Sequence, residues 1–253
     1  MRGLLFSRGN REGPRRRVRI DTDNSVVYAV GDVHGCYREL VSLEAKIVED
    51  ASQFGRPKLI VMLGDYVDRG PDSRRVLEHL TEPPPPGFSR ICLAGNHEVA
   101  MQAYLEGKLD RKSWLRNGGS ETLFSYGLDA TYLERAYGSA RVDRFIREQI
   151  PQEHLDFLRG LPVMAYSERF VFVHAGIRPG VDLMAQQDAD LLNIREEFLD
   201  GPERLERWVV HGHTRVAFPR PGRRRLGLET GAYESGRLSA ARIWDMRGRL
   251  LFS

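Results

Sequence analysis

The chain has 253 residues, 41% of them hydrophobic and 29% charged, with a formal net charge of +3. That length and apolar fraction suit one large α/β domain and exclude global disorder, and no apolar run approaches the roughly 20 residues that span a bilayer. The balance is mildly basic, with a pI of about 8.9, and no basic stripe interleaved with aromatics points to nucleic acid.

In chain order, residues 1–19 hold Leu4-Leu5-Phe6 and then Arg15-Arg16-Arg17, with no periodicity. They read as a flexible basic leader, and charge that follows the apolar residues is in the wrong order for a secretory signal. Residues 20–253 read as one domain. Residues 25–30 form a β-branched run ending at Gly31-Asp32, and 37–48 carry Leu40, Leu43, Ala45 and Ile47 in a helical pattern. A second apolar strand, 58–63, runs into Gly64-Asp65, and Pro71 suits the first turn of a helix holding Val76, Leu77 and Leu80. After the stiff connection from Pro83 to Pro86, a third strand over 88–93 leads to Gly95-Asn96. Asp32 and Asp65 lie 33 residues apart, and Asp65 and Asn96 lie 31 apart. Each interval fits one β-α-β unit of about 30 residues. Three parallel strands then place their carboxyl ends along one edge, where open α/β sheets bind ligands.

Residues 101–160 lose the strand pattern and read as a helical insertion, with helices over 131–137, 140–149 and 151–158 and a Gly-rich turn over 114–119. Residues 163–166 and 170–173 suit a hairpin leading to His174. Residues 208–210 lead into His211-Gly212-His213-Thr214, and 226–229 and 237–245 suggest closing antiparallel strands. The arginines of the leader and of 220–225 fit solvated loops, with contact to an acidic partner as the sharper alternative. Cys36 and Cys92 are the only cysteines and form no Cys-x-x-Cys pair, which fits a reducing, cytoplasmic setting. Cys36 falls near a helix start, where a thiolate is favoured, although packing of a small residue is the plainer role.

Five stretches concentrate the chemistry: Gly31-Asp32-Val33-His34-Gly35, Gly64-Asp65-Tyr66-Val67-Asp68-Arg69-Gly70, Gly95-Asn96-His97-Glu98, His174-Ala175-Gly176 and His211-Gly212-His213-Thr214. Asp32 and His34, two apart at an extended strand end, fall on one side and offer a carboxylate and an imidazole to a metal ion. Taken alone, Asp32 would suit capping of the next helix equally well. Repetition at the following strand ends favours the metal. Asp65 has two oxygens to share between two ions, Asn96 offers a neutral carbonyl oxygen, and His174 and His213 add nitrogens. Neutral ligands keep the site positive for an anionic phosphate. Five of the seven histidines lie in these stretches, leaving His79 and His154 to helices, and His211 is dispensable once His213 is a ligand.

In combination these stretches resemble the PPP metallophosphatase family, calcineurin-like metallophosphoesterases that include serine/threonine protein phosphatases and bacterial diadenosine tetraphosphatases. The resemblance spans about residues 25–245. It implies an α/β fold, a four-layer α/β/β/α sandwich with a small helical insertion, holding two divalent metal ions. Mn²⁺ is the first choice, with iron or zinc as alternatives. It implies Asp32, His34 and Asp65 on one metal, and Asp65, Asn96, His174 and His213 on the other. His97 becomes the proton donor to the leaving oxygen, oriented by Asp68, while Arg69 and Arg195 grip phosphate. The chemistry agrees: two ions about 3.5–4 Å apart make water a nucleophile at neutral pH, arginine forks match phosphate oxygens, and a proton donor is worth roughly 10²–10⁴-fold.

Glu98 and Asp68 resemble the protein phosphatases, whereas Ala94 stands where many of them carry arginine. The stretches 114–119 and 174–180 resemble small bacterial and phage protein phosphatases, which makes Asn117 a candidate substrate contact. The expected function is a phosphomonoesterase acting on phosphoprotein or phosphopeptide by direct attack of water. The alternative is a dinucleoside polyphosphate hydrolase, with a nucleotide polyphosphate as substrate. A silent phosphate-binding adaptor would lack a ligand or the acid, and here none is missing.

Overall fold

The structure, a computed structural model, describes residues 13–201 and 205–253. Strand β2 (Val26–Val30) leads through helix α1 (Tyr37–Ala51) to β3 (Lys58–Met62), then through α2 (Ser73–Thr81) to β4 (Phe88–Cys92). The three strands pair in parallel, β2 on β3 and β3 on β4, as the spacing of their motifs predicts. Two further strands, β9 (Ser239–Trp244) and β10 (Arg247–Phe252), complete a sheet of order β10-β9-β2-β3-β4, with β9 antiparallel to both neighbours.

The second sheet has order β1-β5-β6-β7-β8, from β1 (Arg17–Arg19), β5 (Met164–Tyr166), β6 (Phe170–Val173), β7 (Trp208–His211) and β8 (Arg225–Gly227). The expected hairpin is β5 against β6. Along β2 the residues alternate: Val27 and Ala29 pack with Phe170, Phe172, Val210 and Leu226 of the second sheet, while Val26, Tyr28 and Val30 pack with α1 and α2. Two-residue alternation thus gives each strand an inner and an outer apolar face. Helices cover both outer faces. On the second sheet these include α9 (Asp188–Asn193) and α10 (Glu196–Leu199). The result is the four-layer α/β/β/α sandwich.

Between β4 and β5 lie only helices among the described elements: α3 (Asn96–Leu105), α4 (Arg111–Trp114), α5 (Ser120–Ser125), α6 (Ala130–Tyr137), α7 (Ser139–Gln149) and α8 (Gln152–Gly160). A wide π-helical turn, Leu115–Gly119, joins α4 to α5 where a simple Gly-rich turn is expected. No described helix is long and apolar enough to cross a membrane.

Two expectations change. The leader does not extend to Arg19: β1 adds to the edge of β5, and of this segment residues 1–12 lie outside the description. Arg15 and Arg17 fix this segment, donating to the Asp188 carboxylate at 2.7 and 3.1 Å, and Arg15 also reaches the carbonyls of Leu158 and Leu161 at 3.2 Å. The basic run therefore has partners inside the chain. The segment at 226–229 is not an antiparallel closing strand, because β8 runs parallel to β7; the connection over 212–224 is long enough for the crossover that parallel pairing needs. Cys36, at the start of α1, is buried and burial pushes its thiol up to about 12, which fits the packing role expected for it rather than a thiolate.

Candidate active site

The first three motifs follow the carboxyl ends of β2, β3 and β4 on one edge of the first sheet, and the histidine motifs follow β6 and β7 of the second. The chain turns there abruptly. His34, Asp65, Asp68, Arg69 and His213 all adopt positive φ, between 43° and 70°. Non-glycine residues rarely accept this left-handed backbone, which costs on the order of 1–3 kcal/mol each when sidechain and fold oppose it. His34 is thus swung toward the site by its backbone rather than by strand alternation with Asp32. Asp32 does not cap α1, whose first turn receives no side-chain acceptor.

Asp65 stands at the centre. Its Oδ2 lies 3.5 Å from His34 Nε2 and its Oδ1 lies 3.4 Å from His174 Nε2, one oxygen toward each half of the site. His34, Asp65 and His97 can bring one ligand atom each within 4.8 Å of one another, as can Asp65, His174 and His213. Asp32 stands outside both of these groups, its carboxylate accepting the His213 N–H at 2.9 Å. Asn96, at the start of α3, turns its Oδ1 to His174 Nε2 at 3.0 Å. His211 is buried against the Phe198 ring and belongs to neither of the two groups.

The donor set fits cations. His34 Nδ1 donates to the Val67 carbonyl and His174 Nδ1 to the Leu63 carbonyl, both at 2.9 Å, which leaves each Nε2 with a lone pair. The lone pair of His174 and the carbonyl oxygen of Asn96 then face each other with no hydrogen between them, an arrangement that a positive ion resolves. Burial holds His34, His174 and His213 below their ordinary value, His213 at about 2, so these imidazoles are neutral as ligands must be. Burial works against ionisation of Asp65, but the four surrounding histidines, His174 foremost, hold its carboxyl low. The backbone also leaves room: a Cβ at Gly95 would strike Asp65 Oδ1, and one at Gly212 would strike Asp32 Oδ1.

A second constellation flanks the first. His97 Nδ1 pairs with Asp68 Oδ2 at 2.8 Å. Asp68 is fully buried and also accepts from Trp114 Nε1 at 3.2 Å and Thr122 Oγ1 at 2.7 Å. Burial pushes His97 toward its neutral form, but Asp65 and Asp68 outweigh it and raise the imidazole's affinity for a proton. Arg69 is exposed at the mouth; its Nη1 donates to His34 Nε2 at 2.9 Å and its Nη2 approaches His97 Nε2 at 3.2 Å. Arg195 is exposed on the opposite rim, 3.4 Å from Thr214 Oγ1. Asn117 turns back to the Ser113 carbonyl at 3.3 Å.

Several supporting residues escape a sequence reading. Glu98 accepts the N–H groups of Asp65, Tyr66 and Gly95 at 2.7, 2.7 and 2.9 Å and so clamps the second motif to the third. Its position three residues after Gly95 is a capping-box signal that identifies a helix start but not this cross-loop role. Thr122 carries no signal, and the stretch that begins at Trp114 gives no hint of a contact with Asp68, since only the fold brings the insertion there. Gly118 has a legible reason in retrospect: its φ is 98°, and a Cβ there would lie 2.8 Å from Arg69 N.

Comparison with known proteins agrees with this geometry. Residues 25–231 match the calcineurin-like phosphoesterase family. The chain is 27% identical over 239 residues to the bis(5'-nucleosyl)-tetraphosphatase PrpE [asymmetrical] of Geobacillus thermodenitrificans, covering 86% of this chain and 90% of the relative. Among solved structures it is similar to one assigned provisionally as a diadenosine tetraphosphatase, with a TM-score of 0.64, 20% identity, and 94% and 98% of the two chains covered. It also shares its fold with a serine/threonine phosphatase from Saccharomyces cerevisiae, with a TM-score of 0.55, 14% identity, and 93% and 82% covered. With its two acid-and-histidine clusters at the strand ends and a family match over most of its length, this chain belongs to the calcineurin-like phosphoesterases.

Proposed function

We propose that the protein hydrolyses a phosphoanhydride bond in a dinucleoside polyphosphate such as diadenosine tetraphosphate, cleaving off centre to a nucleoside triphosphate and a nucleoside monophosphate. The observation that carries this choice over a protein phosphatase is the likeness to the asymmetrical tetraphosphatase along nearly its whole length. The expectation of a phosphoprotein substrate, drawn from Glu98, Asp68 and the stretches 114–119 and 174–180, thereby yields to its alternative. Glu98 organises loops in the structure and faces no substrate, so its presence does not discriminate between the two.

Asp32, His34 and Asp65 would hold one divalent ion, and Asp65, Asn96, His174 and His213 the other. When bound, the pair of ions withdraws charge from phosphate oxygens and lowers the pKa of attacking water. Arg69 and Arg195, exposed on opposite rims, bind the polyphosphate oxygens and set the reacting phosphorus in line with the attacking water. As the bond from phosphorus to the bridging oxygen breaks, His97 passes the proton on Nε2 to that oxygen. Asp68 keeps the other ring proton on Nδ1, so only Nε2 faces the reaction. The buried carboxylate also stabilises the imidazolium before transfer, and Trp114 and Thr122 hold the carboxylate still.

The test is the product pattern. Diadenosine tetraphosphate incubated with the Mn²⁺-loaded protein is expected to give adenosine triphosphate and monophosphate in equal amounts by chromatography. Two diphosphates, or no cleavage, would contradict the proposal.

A further inference from the structure

One acidic group beside the site is unexplained by the six ligands. Glu229, two residues past β8, is 2% exposed. Its Oε1 accepts the Gly231 N–H at 2.8 Å, but its Oε2 is buried with no hydrogen-bond partner among the described residues. A buried carboxylate oxygen without a donor is costly and rare. The chain here runs directly against the first motif. The Leu228 carbonyl is so close to Gly31 that a Cβ would collide with it, Ser239 Oγ donates to that carbonyl at 2.6 Å, and Leu228 N donates to the His211 carbonyl at 2.8 Å. Glu229 therefore lies on the Asp32 side of the site. Asp32, Asp65 and Glu229 are all buried, 1%, 2% and 2% exposed, and buried carboxylates need a cationic partner.

We propose that Glu229 is a positioning residue of the metal centre, its free Oε2 accepting a hydrogen bond from water in the shell of the ion at Asp32 and His34. The inference rests on the two-metal reading of the site but not on the identity of the substrate. Outer hydrogen-bond partners of this kind typically change metal affinity by roughly 10–100-fold when removed.

The experiment is a calorimetric titration of the metal-free protein with Mn²⁺, backed by melting of the metal-free form. Glu229→Gln keeps the bond to Gly231 N–H while replacing Oε2 by a donor. It is expected to melt like the wild type and to bind one of the two ions about 10–100-fold more weakly. Glu229→Asp, which keeps the charge but draws the oxygens back by one methylene, is expected to weaken the same ion and decides the question if the glutamine variant does not fold. Glu234→Gln removes a nearby exposed charge that pairs with Arg215 and is expected to bind both ions as the wild type does. Wild-type affinity in Glu229→Gln and Glu229→Asp, or an equal loss in Glu234→Gln, would overturn the proposal. Failure of the wild type itself to bind Mn²⁺ would instead overturn the two-metal reading.

Discussion

His97 is tied to Asp68 through Nδ1 and leaves Nε2 toward Asp65, at 3.9 Å from Oδ2. One side chain therefore has both a proton to give and a direction to give it. His97→Ala is expected to lower turnover of diadenosine tetraphosphate by about 10²–10⁴-fold with metal content unchanged. The loss should be larger on an alkyl phosphate such as phosphoserine, whose alkoxide leaves far less readily than a nucleotide phosphate. Equal losses on both substrates would remove His97 from the acid role. Asp65→Asn withdraws the charge shared by both halves of the site, so Mn²⁺ affinity measured by calorimetry should fall; retention of both ions at wild-type affinity would contradict the bridge. These residues were legible because metal and proton chemistry demand specific side chains at strand ends. Glu229 was not, since a glutamate closing a short strand looks like any solvated edge, and its burial is set by the distant Gly31 loop.

At the scale of elements, the active edge is a set of loops held by one buried acid. Glu98 gathers three backbone N–H groups from two loops. Burial, then the charge of Asp65, pushes its carboxyl up, against the pull of those donors. Glu98→Ala leaves the three donors unpaired inside the protein and should cost at least about 3 kcal/mol, read as a lowered denaturant midpoint at unchanged slope. A stability within 1 kcal/mol of the wild type, on the order of a single net hydrogen bond, would mean that water replaces the carboxylate. The β-α-β units were readable from spacing, because each strand is followed by glycine and then an aspartate or asparagine at an interval of about 30 residues. β10 was not, since Arg247, Gly248 and Arg249 hide the alternation of an exposed edge strand. The direction of β8 depends on a crossover that no local pattern records. The turn at Leu115–Gly119 looked like punctuation, yet it delivers Trp114 to Asp68 and presses Gly118 against Arg69.

Over the whole molecule, the fold concentrates histidines in its interior, and that shapes its response to acid. Burial is the main cause that lowers His34, His174, His211 and His213, with His211 at about 4. Since the unfolded imidazoles take up protons near pH 6.5, their contribution to stability is present above that value and lost as pH falls toward their folded values. His211 alone accounts for on the order of 3 kcal/mol between about pH 6.5 and 4. His97 and the buried carboxyls of Asp32, Glu98 and Glu229, all raised, act in the opposite sense over the same window, so the histidine contribution is read as a difference between variants. The melting temperature of the metal-free wild type should therefore fall relative to that of His211→Asn between pH 7 and pH 4.5, and an unchanged difference would contradict the neutral state of this side chain.

The same buried histidines and acids serve a phosphate monoester or an anhydride, so the choice of substrate is the point on which measurement bears most directly. We would compare kcat/KM of the Mn²⁺-loaded protein for diadenosine tetraphosphate and for a phosphoserine peptide at matched concentrations. A clear preference for the dinucleotide is the expected result; a preference for the peptide would return the protein to the phosphatases that act on phosphoproteins and contradict the function proposed for it.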